Sequence, residues 1–79
     1  MNTTKLSNIS LEDYRLFLKK AGCTSTSIKG GHEKWTKQGL LRPIIVQTHV
    51  DPVPEFIVKN ALRSLGLTKM DFFRILLSD

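Results

Sequence analysis

Apolar residues recur every three or four positions near the start of the chain, and this period predicts a first helix over 11–21. Ser10 is a suitable N-cap, with Asp13 three positions further on, and Gly22 can adopt the left-handed conformation that ends a helix. The apolar stripe consists of Leu11, Tyr14, Phe17, Leu18 and Ala21. We expect this stripe to pack on the rest of the protein.

The middle of the chain changes to the two-residue period that is typical of strands. β-Branched residues at alternate positions predict a first strand over 23–28. Gly30-Gly31 and Gln38-Gly39 are turn sequences, so that a second strand should cover 32–37 and a third, more apolar strand should cover 41–49. Such short connections favour an antiparallel meander.

Two further helices are predicted after the strands. The prolines within 50–54 disfavour helix there, so a helix should begin near Pro54 and end at Leu65, followed by a last helix over 69–77. The expected apolar side chains are Phe56, Val58, Ala61, Leu62 and Leu65 in the first of these helices, and Phe72, Phe73, Leu76 and Leu77 in the second. The order is therefore α-β-β-β-α with an additional short C-terminal helix.

This order predicts an α+β fold, in which helices pack on one face of an antiparallel three-stranded sheet and leave its other face open. The chain has 79 residues, and we expect 1–79 to form a single domain. Because a domain of this size has a thin core, its function should lie on an outer face or at an interface with a partner.

Strand alternation divides the side chains of the second predicted strand between the two faces of the sheet. Glu33, Trp35 and Lys37 share one side, and His32 and Lys34 lie on the other. Since Trp35 is the only large apolar residue of this strand, its side should face the helices. His32 and Lys34 should then point to the open face.

Composition narrows the possible partners and the compartment. Lys plus Arg is 12 and Asp plus Glu is 7, so that 12 − 7 gives a net charge of +5, which favours phosphate, nucleic acid or an acidic protein as partner. The lone Cys23 excludes an intrachain disulfide and fits a reducing cytoplasm. No apolar run is long enough for a membrane span, and 1–8 lacks the apolar centre of a signal peptide.

The segment from 29 to 42 carries the candidate chemistry. Two adjacent glycines let a phosphate backbone approach closely, cations neutralise it, and a histidine exchanges protons near neutral pH. RNA cleavage without a metal requires proton transfer and stabilisation of charge at the phosphorus. His32 would transfer a proton, and the cations around it would help with the other functions. The predicted RNA-binding residues are Lys29, Gly30, Gly31, Lys34, Lys37 and Arg42. From the residues alone, a hairpin with solvated lysines and an exposed histidine is the favoured interpretation.

The stretch KGGHEKW at 29–35 resembles the signature of the HicA family, in which a glycine and a small residue precede a histidine and an aromatic residue follows three positions later. The apolar strand that ends in VQTH at 46–49 resembles the family strand that closes near a second histidine. LRSLGL at 62–67 and DFF at 71–73 resemble the end of the family's second helix and the short helix after it. The resemblance covers 11–77.

The resemblance implies a function and a partner. HicA proteins are toxins of type II toxin–antitoxin pairs, have a double-stranded-RNA-binding-domain-like fold, and are endoribonucleases that cleave mRNA. It implies that His32 is the catalytic residue, that Gly30 and Gly31 shape its turn, and that a HicB antitoxin binds the protein and masks His32. It further implies that the protein needs no metal or cofactor, is monomeric when free, and forms a hetero-oligomer with the antitoxin in the cytoplasm.

The sequence departs from the family pattern at three places. Gly31 stands where the family often has Ser or Thr, Phe56-Ile57 stand where it often has a Gly-Thr step, and Asp51 and Glu55 make a usually lysine-rich loop acidic. We therefore expect a changed substrate preference or a reduced activity. His49 is either a second acid–base group or a residue that ends a strand or contacts RNA, and we favour the structural or RNA-contact role.

Two other interpretations stay open at this point. A non-catalytic module of the same fold would bind double-stranded RNA through phosphate and 2′-OH contacts alone. A helix-turn-helix DNA-binding unit around 64–68 is the less favoured one, because the last helix carries only Lys69 and Arg74 as cations and is too apolar for a DNA groove.

Overall fold

Three helices and three antiparallel strands follow one another in the predicted order. The computed structural model describes residues 5–78. Its elements are α1 (Leu11–Lys20), β1 (Thr24–Lys29), β2 (His32–Thr36), β3 (Ile44–Gln47), α2 (Glu55–Leu65) and α3 (Lys69–Leu76). The predicted α+β class is confirmed. β3 is shorter than the predicted 41–49, because Pro43 has no N–H to donate and the chain turns at Thr48.

The sheet has the order β1-β2-β3, so β2 is the central strand. His32, at the start of β2, lies opposite Lys29 of β1 and Gln47 of β3. The pairing of β1 with β2 shifts between Ser25 and Ser27, where β1 contains a bulge. The regular alternation expected along the first strand is therefore interrupted, while that of β2 is intact.

The helices cover one face of the sheet, mainly over β2 and β3. Trp35, Ile44 and Val46 from this face join one cluster of buried side chains with residues of all three helices. The rings of Phe17 in α1 and Phe72 in α3 lie 4.6 Å apart at its centre. Every residue of the edge strand β1 is exposed.

Three predicted helix ends have the expected hydrogen bonds. The Asp13 N–H donates to the Ser10 hydroxyl at the start of α1, and Gly66 adopts a left-handed conformation at the end of α2. At the start of α3, Thr68 and Asp71 form a reciprocal capping box. The Arg74 guanidinium and the hydrogen bonds from Thr68 hold the pKa of the Asp71 carboxyl at about 2. The cap chemistry therefore follows from the local sequence.

Two apolar side chains predicted for the core are instead exposed. Phe56 is 63% exposed, because at the start of α2 its side chain turns outward and the next residue, Ile57, packs against the core. Leu77 is 76% exposed because it follows the last residue of α3. Of the α3 candidates, Phe72 is fully buried, whereas Phe73 and Leu76 are partly buried against the core.

A segment before α1, which the pattern did not identify, closes the core. Leu6 and Ile9 are buried there, and Ile9 forms an antiparallel bridge with Val53, whose N–H donates to the Ile9 carbonyl at 2.8 Å. The Asp51 carboxylate accepts the backbone N–H of Leu11 at 3.0 Å and so caps α1. These bonds attach the loop after β3 to the start of α1.

Glu33 is the one charged residue among the buried side chains of residues 5–78. Its carboxylate accepts two hydrogen bonds from the Arg15 guanidinium of α1, at 3.2 and 2.8 Å. It also accepts the indole N–H of Trp35 at 2.9 Å. A buried carboxylate is tolerated when it is paired in this way. Glu33 therefore holds β2 against α1 and fixes which face of the strand points inward.

No helix within residues 5–78 is long and apolar enough to cross a membrane.

We predict that Glu33→Ala lowers the free energy of unfolding by about 2–3 kcal/mol, because it leaves the Trp35 N–H buried without an acceptor and removes the partner of Arg15. Glu33→Gln keeps an acceptor of the same size and should cost about 1 kcal/mol. Urea denaturation of the three proteins measures both differences. Equal stability of Glu33→Ala and the wild type would contradict this role.

Candidate functional site

A two-glycine turn places His32 at the start of the central strand, β2. Gly30 and Gly31 connect β1 to β2 with backbone φ angles of +58° and +82°. Both values lie in the region that favours glycine, and two such residues in sequence form the hairpin turns that match the twist of antiparallel strands. His32 is therefore the first residue of β2 and lies directly opposite Lys29.

The open face of the sheet carries an exposed histidine between two exposed lysines. His32 and Lys34 are exposed, whereas the alternate residues of β2, Glu33 and Trp35, are buried, as the alternation predicted. Residues paired directly across strands have Cβ atoms about 5 Å apart, and alternate residues of one strand are about 7 Å apart. Lys29 and Lys34 therefore flank His32 on the same face and create a local positive potential beside the imidazole.

Lys37 and Arg42 lie at the opposite end of the sheet from His32. Lys37 follows β2, and its Cε lies 3.3 Å from the place that a Cβ of Gly22 would occupy. Arg42 precedes β3 at the same end and is exposed. Five residues of strand separate this end from His32, about 17 Å. The expectation that all four cations surround His32 is thus wrong for these two, and their contact with RNA stays a prediction.

His49, for which the sequence favoured a structural or RNA-contact role, lies beside the glycine turn. The Nδ1 atom of His49 is 3.4 Å from the position of a Cβ on Gly31. The Thr48 N–H and hydroxyl both donate to the Gly31 carbonyl, at 2.8 and 3.1 Å. His49 is itself exposed. The His49 ring therefore lies near Gly31, the residue directly before His32 in the chain.

The contacts of the remaining candidate residues give each of them a structural role. Cys23 is buried, and burial raises the pKa of its thiol, an effect that Lys37 nearby reduces; these surroundings are those of a structural cysteine. Asp51 caps α1, and Glu55 pairs with Lys59 in the first turns of α2 at 3.2 Å. Within residues 5–78, no three His, Cys, Asp or Glu side chains are arranged to hold a metal ion.

A separate apolar groove lies between β3 and α2. Its cavity volume is about 230 Å³, and its lining includes Ile45, Val53 and Phe56. The hydroxyl of Tyr14, which lines the same groove, is buried and has no hydrogen-bond partner among the described residues. Burial raises the pKa of this phenol well above its ordinary value. A lining of this kind is unsuited to a phosphate, so the groove is distinct from the histidine site.

The chain matches none of the protein-family models, curated proteins or solved structures with which it was compared. The function is therefore argued from the residues of the site.

We predict that Gly31→Ala changes the NMR signals of the His49 ring, whereas the matched Gly30→Ala does not. A Cβ at residue 31 reaches the ring, but a Cβ at residue 30 has nothing within 4 Å. Both variants should lose about 1–2 kcal/mol of stability, because each forces alanine into a left-handed conformation. Equal effects of the two variants on the His49 signals would show that the ring is not held beside Gly31.

Proposed function

We propose that this protein is a HicA-type toxin, an endoribonuclease that cleaves mRNA with His32 as its catalytic residue and without a metal or cofactor. One observation carries the proposal: His32 is exposed at a two-glycine turn, on the open face of the sheet, between Lys29 and Lys34. An imidazole in this position can exchange protons with RNA while the two ammonium groups hold the phosphate. Gly30 and Gly31 leave room for the sugar–phosphate backbone.

The proposed reaction uses the 2′-OH of the RNA itself. The 2′ oxygen loses its proton and attacks the adjacent phosphorus, so that the O2′–P bond forms and the bond from phosphorus to the 5′ oxygen breaks. The departing 5′ oxygen receives a proton. His32 carries out one of these two proton transfers, and water carries out the other. The products are a 2′,3′-cyclic phosphate and a 5′-hydroxyl, and no oxidant or co-reactant is needed. Lys29 and Lys34 stabilise the negative charge that develops on the phosphate oxygens.

The order of the helices and strands supports a double-stranded-RNA-binding-domain-like fold for this protein. A double-stranded-RNA-binding-domain-like fold has the order α-β-β-β-α with its helices on one face of the sheet, and α1 to α2 follow this order. α3 is then the additional helix, which packs on α1 through Phe72 and Phe17. In this arrangement the exposed face that carries His32 is the surface offered to RNA.

The charge of the protein supports an acidic protein as its inhibitor. The net charge is +5, and Lys29 and Lys34 are exposed beside His32. We propose that a HicB-type antitoxin covers this face and masks His32, so that the toxin is monomeric when free and part of a hetero-oligomer when inhibited. The lone Cys23, buried and unpaired with another cysteine, fits the cytoplasm as the site of action.

We predict that expression of the wild-type chain arrests growth and depletes mRNA, and that His32→Ala abolishes both effects. Since His32 is exposed, its replacement should leave the melting temperature unchanged within about 2 °C. Growth curves, RNA electrophoresis and thermal denaturation measure the three quantities. His32→Gln, which keeps a polar side chain of similar length, serves as the matched variant and should also be inactive.

A non-catalytic RNA-binding module of the same fold gives a different result in this experiment. It would bind RNA through its lysines with a strong salt dependence, cleave nothing, and be indifferent to the loss of His32. A His32→Ala protein as toxic as the wild type would therefore refute the ribonuclease proposal and favour this alternative.

We predict that Lys29→Gln and Lys34→Gln weaken RNA binding and each reduce the slope of log K against log salt by about 0.7–0.9, because each lysine neutralises one phosphate. Lys19→Gln, an exposed residue of α1 on the helical side, is the control and should bind as the wild type does. Lys37→Gln tests whether the RNA extends along β2 to its far end. Equal slopes for all variants would place the RNA elsewhere.

A further inference from the structure

We infer that Gln47 determines the specificity of the proposed site by binding the base of one unpaired nucleotide, adenine, next to the cleaved phosphodiester. The inference rests on the proposed ribonuclease function and narrows its substrate to single-stranded RNA. Its basis is the register of the sheet, which pairs Gln47 of β3 directly with His32 of β2. The sequence gave Gln47 no role.

The side chains of Gln47 and His32 are neighbours on the open face of the sheet. Both residues are exposed, whereas the alternate residues of their strands are buried. The Thr48 N–H donates to the Gly31 carbonyl at 2.8 Å, which makes His32–Gln47 a non-hydrogen-bonded pair, the closer of the two antiparallel types. The Cα atoms of such a pair are about 4.5 Å apart, and its Cβ atoms are about 5 Å apart.

The open face has a different chemical character on each side of His32. Lys29 of β1 lies opposite His32 on one side, and Gln47 of β3 lies opposite it on the other. Lys34, the next residue of β2 on this face, pairs with Ile45 of β3, which is 42% exposed. The ammonium groups therefore lie on β1 and β2, whereas β3 offers an uncharged amide and an apolar side chain.

A nucleotide has the same two parts, an anionic phosphate and an uncharged base. When the phosphate lies between the two lysines at His32, the adjoining base extends over β3, where its ring contacts Ile45 and its edge reaches the Gln47 amide. This amide has a donor beside an acceptor and binds adenine through two hydrogen bonds, at N6 and N7. In double-stranded RNA these atoms lie in a deep, narrow groove that side chains cannot read, so the bound base must be unpaired.

The experiment compares the wild type with Gln47→Ala, Gln47→Glu and the control Gln38→Ala, which changes an exposed glutamine in the turn at the far end of β2. In the cleavage assay, the substrate is an RNA of defined sequence in which each base occurs next to every other, used as a single strand and annealed to its complement. In the binding assay, the ligands are short oligonucleotides of adenosine or of uridine whose 2′ hydroxyls are methylated and cannot attack.

We expect the wild type to cleave the single strand next to adenine at least about 5-fold faster than next to other bases, the lower limit for a bidentate amide contact. Gln47→Ala should lose this preference and cleave next to the other bases at the wild-type rate. Gln47→Glu should also lose it, because a carboxylate has no donor for N7. The tighter binding of the adenosine oligonucleotide should disappear in both variants and persist in Gln38→Ala.

The variants should melt within about 2 °C of the wild type, since Gln47 is exposed. A residue that positioned His32 would slow cleavage next to all bases alike when replaced. Equal slowing by Gln47→Ala would therefore overturn the inference, and so would an adenine preference that survives in either Gln47 variant. Equal cleavage of the single strand and the duplex would refute the single-stranded substrate.

The failures of the two proposals are distinguishable. If the wild type cleaves RNA without a preference for adenine, the role of Gln47 is refuted and the ribonuclease function is not. If the wild type cleaves no RNA but binds the adenosine oligonucleotide more tightly, and Gln47→Ala does not, the ribonuclease function is wrong and the base contact is retained. If neither cleavage nor this binding preference is found, both proposals are wrong.

Discussion

The alternation of side chains along β2 is the constraint on which the rest of the structure depends. Glu33 and Trp35 face the helices, and their neighbours His32 and Lys34 therefore face outward. The bonds from Arg15 and from the Trp35 indole to the Glu33 carboxylate make this orientation specific. A slip of one residue would expose these groups and bury a histidine and a lysine, which have no partners on that side. The chemistry of the outer face is thus fixed by a polar contact on the inner face.

The two faces of this sheet have separate roles. The helical face holds the apolar cluster that gives a short chain its stability, with Phe17 and Phe72 at its centre. The outer face carries the exposed cations and the turn. Because the fold closes without using the outer side chains of β2, these positions are free to serve binding and catalysis at little cost in stability.

Much of the fold follows from local sequence, because its signals act over a few residues. The α1 stripe, the caps at Ser10 and Thr68, and the faces of β2 depend only on spacing and on short-range hydrogen bonds. The predicted exposure of His32 follows from the same alternation. Its assignment as catalytic comes from chemistry and resemblance, not from the pattern of elements.

The features that the sequence did not reveal depend on contacts between distant parts of the chain. The segment with Leu6 and Ile9 has no periodic pattern, and its burial arises from pairing with Val53. The position of His49 depends on the register of β3 against β2, which places Thr48 opposite Gly31. Because His32 pairs with Gln47, Thr48 lies opposite Gly31 and His49 comes directly after it. A correct prediction of this register from the sequence would therefore have located His49.

The separation of the cations is a consequence of the same topology. In the sequence, the lysines and the arginine of 29–42 form a single basic stretch, but the meander distributes them over both ends of the sheet. Lys29 and Lys34 lie with His32, whereas Lys37 and Arg42 lie some five residues of strand away. The basic stretch is therefore divided by the fold, and of these four cations only Lys29 and Lys34 lie beside His32.

The most direct test of the central claim is the chemistry of the RNA ends made by the purified protein in the presence of a metal chelator. If an imidazole on this face promotes attack by the 2′-OH, cleavage continues with the chelator present, and the products carry 2′,3′-cyclic phosphates and 5′-hydroxyls. Products with 5′-phosphates, or cleavage that stops when metal ions are removed, would contradict the account.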